Sequence, residues 1–87
     1  MLTAALMRAA RGLLGWTQGD LATAAGLSLP TIKRMEGTVG PGRSSADNVQ
    51  AVRKALEMAG VEFIAENGGG EGVRFRQRLA DRSVQPA

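Results

Sequence analysis

The sequence contains no cysteine and no histidine. Their absence excludes disulfides, thiolate nucleophiles, imidazole bases and the usual zinc sites, so no metal or cofactor is expected and folding has to rest on packing alone. Long apolar runs are missing too: none approaches the roughly 20 residues that span a bilayer, and no membrane partner is expected. The N-terminal stretch MLTAALMRAARGLLGW has something of a secretory leader in its composition, but Arg8 and Arg11 interrupt it and no clean small-residue cleavage site follows. It reads as a helix of the mature domain, and the expected location is the cytoplasm. With 87 residues the chain has room for one domain around one modest core, which argues against an enzyme with a deep, pre-shaped pocket.

What is present is a modest excess of positive charge. Lys and Arg number 11 against 8 Asp and Glu. A polyanionic partner is favoured by that balance, but a net charge of +3 is ordinary, so the argument has to come from pattern.

From Leu2 to Leu14 apolar residues recur at helical spacing, with Met7, Ala10 and Leu14 on one side and Leu2, Leu6, Ala9 and Leu13 beside them. So wide an apolar surface predicts a helix covered on two sides, the second by a C-terminal element or another subunit. Gly15 ends it. Thr17 and Asp20 have the spacing of a capping box, and the helix they open runs to Gly26, whose missing Cβ suits a left-handed turn. Ser28 then caps a third helix, with Pro30 in its first turn, Ile32 and Met35 pointing inward and Gly37 closing it. The segment from Thr38 to Ser44 reads as a loop, and Ser45 caps a fourth helix from Ala46 to Ala59. Its apolar stripe is Val49, Val52, Leu56 and Ala59, and Gly60 terminates it.

Beyond Gly60 the period shortens to two. Val61 and Phe63 flank Glu62, Val73 and Phe75 flank Arg74, and ENGGGEG separates the two runs. This predicts a β-hairpin over 61–76 with a flexible tip. A lone two-stranded hairpin is marginal in water, so it has to pack on the helices or extend a sheet across a partner. Residues 77–87 are polar and are expected to be disordered. The glycine run in the tip lacks the Lys-Ser/Thr ending of a phosphate loop and no helix follows it, so nucleotide binding is not expected.

The segment Thr17 to Gly37 is thus two short helices joined by Ala-Gly-Leu, the second opening on a capped polar turn. Such a unit can place its second helix in the major groove of B-DNA. Its sequence QGDLATAAGLSLPTIKRME resembles the helix-turn-helix of the phage repressor and Cro type, known in bacteria as the XRE family. The likeness runs from about Arg8 to Ala59, with Arg11, Trp16-Thr17-Gln18, Ala22, Gly26-Leu27-Ser28, Ile32 and Glu36 in register. The tail VEFIAENGGGEGVRFR resembles an extension found in many small bacterial members. The implied fold is mainly α: a four-helix repressor-like domain over 1–60 with a C-terminal β-hairpin.

The resemblance implies roles for particular residues. Thr17 and Gln18 would lie at the DNA backbone, with Gln18 binding a phosphate beside the free amides of its helix. Ser28 would cap the recognition helix and could touch phosphate. Leu29, Pro30, Lys33 and Arg34 would face the bases, with Thr31 at the flank. Arg34 is the leading candidate for base readout, because a guanidinium can bind guanine O6 and N7 together. Leu29 and Pro30 depart from the polar residues common at such positions and offer only apolar contact, leaving room for indirect readout through DNA shape. Arg11 and Glu36 stand where related domains form a structural pair, which has no catalytic chemistry to perform. Arg43 is a candidate phosphate contact in the following loop, ordinary surface exposure being the alternative.

Two functions follow from different classes. The first is a homodimeric, DNA-binding transcriptional repressor, its interface expected at Val61, Phe63, Val73 and Phe75. The second is a protein-binding adaptor or antitoxin-like module that keeps the helix-turn-helix as scaffold, with a partner such as a toxin. No constellation supports an enzyme.

Overall fold

The computed structural model of the protein describes residues 2–77. Four helices, α1 (Ala4–Leu14), α2 (Gln18–Ala25), α3 (Leu29–Met35) and α4 (Ala46–Met58), precede two strands, β1 (Val61–Ile64) and β2 (Gly72–Phe75). A short 3-10 turn, Pro41–Arg43, lies between α3 and α4. The disordered tail expected over 77–87 falls, but for Gln77, outside the described residues.

Each helix begins on a hydroxyl. Thr3, Thr17, Ser28 and Ser45 all have extended backbone and accept a hydrogen bond from the amide three residues on, which satisfies one of the N–H groups that a helix start leaves unpaired. Thr17 and Asp20 form the full reciprocal box: the Asp20 amide donates to the Thr17 hydroxyl at 3.0 Å, and the Thr17 amide donates to the Asp20 carboxylate at 2.9 Å. Gly26 stops α2 at φ 70°. That conformation lets the Gly26 and Leu27 amides reach back to the carbonyls of Thr23 and Ala22 at 3.2 and 3.0 Å, closing the helix end and turning the chain toward α3.

The core gathers Met7 and Ala10 from α1, Leu21 and Ala22 from α2, Ile32 and Met35 from α3, Val52 and Leu56 from α4, and Val61 from β1. α2 packs on both α3 and α4, and β2 lies along α1 while β1 lies along α4. The strands pair antiparallel with Val61 opposite Phe75 and Phe63 opposite Val73, so the apolar pairs share one face. Glu62 and Arg74 are opposite each other on the other face and make an ion pair at 2.8 Å. The hairpin tip is organised by Glu66, whose carboxylate accepts hydrogen bonds from the Gly68 and Gly70 amides.

Several expectations need correction. Val61, expected at a dimer interface, has no exposed surface and is covered by the core of its own chain. The reason is the hairpin's position: it folds back on its own helices, and Phe63 and Val73 pack against the same core. That supplies the second cover expected for α1, yet incompletely, because Ala9 and Leu13 stay at the surface. Leu2 is buried but precedes the helix, since Thr3 is the cap. The 38–44 segment is not plain loop either, for Pro41 is buried and opens the 3-10 turn.

Candidate nucleic-acid interface

α3 divides cleanly into two faces. Ile32 and Met35 are fully buried, and Leu29, Pro30, Lys33 and Arg34 are exposed, which follows from their spacing around a helix of 3.6 residues per turn. Thr31 is half-buried, its hydroxyl 2.8 Å from that of Ser28. Ser28 is thereby committed locally: its oxygen also caps α3 by accepting from the Thr31 amide at 3.2 Å. Arg43 is exposed in the 3-10 turn, which packs against α3. Lys33 and Arg34 therefore stand on one exposed helix surface, with a third cation on the neighbouring turn.

Behind that surface lies a polar hub. Glu36, the residue that ends α3, is the buried charge among the described residues, its side chain only 2% exposed. Arg11 meets it with two parallel hydrogen bonds, Nε to Oε2 at 2.7 Å and Nη2 to Oε1 at 2.8 Å. This fork geometry is the strong form of a charge-assisted pair. The third guanidinium nitrogen, Nη1, donates to the Trp16 carbonyl at 3.0 Å, tying the same group to the α1–α2 turn. Hydrogen bonding to Glu36, reinforced by its charge and opposed by burial, raises the Arg11 pKa above its ordinary value, so Arg11 stays charged.

Two further donors converge on Glu36 that the sequence reading did not place there. Arg8 Nη1 donates to the Glu36 backbone carbonyl at 2.8 Å, setting a cation at the C-terminal end of α3, where carbonyls lack partners and the helix dipole is negative. The signal was available: Arg8 and Arg11 are three residues apart and so lie on one face of α1. Gln18 Nε2 donates to Glu36 Oε1 at 3.1 Å. Its side chain thus turns partly toward the hub, and one amide hydrogen remains for another acceptor. Thr17 is exposed at the start of α2, its hydroxyl engaged in the cap.

The helix-turn-helix family model matches residues 7–62 of the chain. The protein belongs to this family, the helix-turn-helix of XRE type. The match takes in α1 from Met7 onward, α2 to α4 and the start of β1, and with them the Glu36 hub and the whole exposed face of α3. The chain is accordingly a DNA-binding helix-turn-helix regulator, and that family is regulatory, not enzymatic. No curated protein matches the sequence. No helix among the described residues is long and apolar enough to cross a membrane.

Proposed function

We propose that this helix-turn-helix regulator is a sequence-specific repressor that acts as a homodimer in the cytoplasm, reading the major groove with the outward face of α3. The observation that carries the reading is the division of α3: a face bearing Lys33 and Arg34 is left to solvent, and the opposite face is fastened by core packing and by Glu36. A helix held at a fixed angle with its cations outward is what base-edge contact requires. In this reading Arg34 contacts a guanine, Lys33 lies beside it, and Leu29 and Pro30 meet apolar groups such as thymine methyls. Thr31 lies at the flank of that face, and Thr17, Gln18, Ser28 and Arg43 lie at or near the phosphates, where direct contacts set the register of the protein on the duplex.

Dimerisation is proposed on energetic grounds. A single small reading head with few base contacts binds weakly, and two joined heads gain through effective concentration. Two copies would present α3 at half-sites about 34 Å apart. With Val61 inside the core, the hairpin's share of an interface narrows to the half-buried Phe63, Val73 and Phe75. Sedimentation at micromolar concentration tests this, and a monomer there argues against the dimer.

One observation favours a second reading. Leu29 is 39% exposed next to Pro30, an apolar beginning to the reading face that would suit a protein-binding adaptor or antitoxin-like module. The salt dependence of binding separates the two. Phosphate contacts make the logarithm of DNA affinity fall with the logarithm of salt concentration, whereas an apolar protein contact responds little. A steep decline supports the DNA reading, and DNA affinity that is weak and flat in salt supports the adaptor.

A further inference from the structure

We infer that Gln18 is a positioning residue for sequence discrimination, because its side-chain amide ties the start of α2 to the Glu36 hub at the end of α3. The inference rests on the proposal that α3 reads DNA.

Three helices meet at Glu36. Arg11 from α1 occupies one lone-pair direction on each carboxylate oxygen, at 2.7 and 2.8 Å, and Gln18 from α2 adds a third hydrogen bond to Oε1 at 3.1 Å. Arg8 fixes the backbone carbonyl of the same residue. The division of labour follows from charge. Arg11 neutralises the buried carboxylate and so keeps the domain folded. Gln18 is neutral and adds no compensating charge; what it adds is a direct link between α2 and α3. Without it Glu36 keeps Arg11, but α3 loses a polar restraint against shifting along α2.

A residue that only touches phosphate changes affinity for every duplex by the same factor, since phosphates are alike in all sequences. A residue that seats α3 changes the ratio of affinities between sequences, because bidentate contact of Arg34 with a base edge depends on where the helix lies. Gln18 has hydrogen-bonding capacity for both tasks: one amide hydrogen faces Glu36, and the second can meet a phosphate at the start of α2. The same carboxamide then joins backbone contact to base readout.

The test uses the full chain and two labelled duplexes, one enriched from a random pool by the wild-type protein and one of the same length with its bases shuffled. Gln18→Met keeps the side-chain length and removes the donor; Gln18→Lys restores a donor toward Glu36 and strengthens phosphate attraction. Gln18→Met is expected to lower the ratio of the two affinities about threefold or more, beyond any loss shared by both duplexes. Gln18→Lys is expected to recover the ratio and tighten both complexes. Equal losses on the two duplexes with an unchanged ratio would overturn the inference, leaving Gln18 as a phosphate contact only. If Gln18→Met fails to fold by circular dichroism, nuclear Overhauser contacts in the wild-type protein decide instead: contacts from the Gln18 amide hydrogens to the Glu36 side chain support the tie, and their absence overturns it. Arg34→Ala separates this inference from its parent. A ratio that falls with Arg34→Ala but holds with Gln18→Met sinks the role of Gln18 alone, whereas a wild-type protein that enriches no duplex sinks the DNA reading itself.

Discussion

Among the described residues, the Arg–carboxylate pairs on α3 and on the hairpin have almost the same length in very different surroundings. Arg11 and Glu36 approach to 2.7 Å with side chains 18% and 2% exposed, and Arg74 and Glu62 approach to 2.8 Å with side chains 62% and 38% exposed. Distance alone would rank them equal. Burial does not, because water and salt screen the hairpin pair and neither reaches Glu36 freely. The first pair joins α1 to the end of α3 and has supporting donors from Arg8 and Gln18. The second links neighbouring strands whose alignment is also set by the apolar pairs Val61–Phe75 and Phe63–Val73. One contact therefore orients α3, and the other decorates a hairpin that packing already holds.

The largest expected effect breaks the buried pair. Arg11→Met leaves Glu36 charged and buried with only Gln18 on its carboxylate, and should lower unfolding free energy by about 3 to 5 kcal/mol in urea denaturation. Such a loss is a large part of the stability of a domain this size, for which about 5 to 15 kcal/mol is usual. Replacing Glu36 by Leu in the same protein removes the stranded charge and should recover much of the loss; a double variant as unstable as Arg11→Met would show that the charge was not its source.

A smaller effect tests the turn, which is held by backbone conformation and not by charge. Gly26 sits at φ 70° with open space where a Cβ would go, so Gly26→Ala meets no clash and suffers only the left-handed penalty. About 1 to 2 kcal/mol of thermal stability is the expected loss. Thr17→Ala, which removes the α2 cap, should cost about 1 kcal/mol by the same measurement.

The smallest effect lies at the hairpin. Glu62→Gln should change stability by no more than about 1 kcal/mol, and by less as salt is added. A loss as large as that of Arg11→Met would abolish the contrast between the two sites. Arg53 falls between them: it lies 4.9 Å above the Phe63 ring and 3.3 Å from Glu57, and both it and Glu57 are partly exposed. Its truncation should cost about 0.5 to 1 kcal/mol.

Local chemistry makes much of the fold legible in the sequence. The hydroxyl caps at Thr17, Ser28 and Ser45 and the glycines at 15 and 26 placed helix ends, because those groups act within a few residues of chain. Alternation around Glu62 and Arg74 placed the hairpin for the same reason. What escaped was the choice between packing partners. Val61 has the pattern of any half-buried strand residue, and pattern cannot tell whether its covering surface is the same chain or another copy. The polar hub is legible in part: family resemblance implies the pairing of Arg11 with Glu36, and helical spacing puts Arg8 on the same face as Arg11, but the reach of Arg8 to a carbonyl and the rotamer of Gln18 depend on three helices converging.

Whether the outward face of α3 selects DNA sequence is decided by parallel selections of bound sites from random duplex DNA. Wild-type protein should enrich a defined motif with two half-sites about one helical turn apart, and Arg34→Ala should recover that motif with preference relaxed at one base pair in each half. Enrichment of the same motif, equally sharp at every position, by both proteins would contradict the assignment of Arg34 to the bases, and failure of the wild-type protein to enrich any motif would contradict sequence selection altogether.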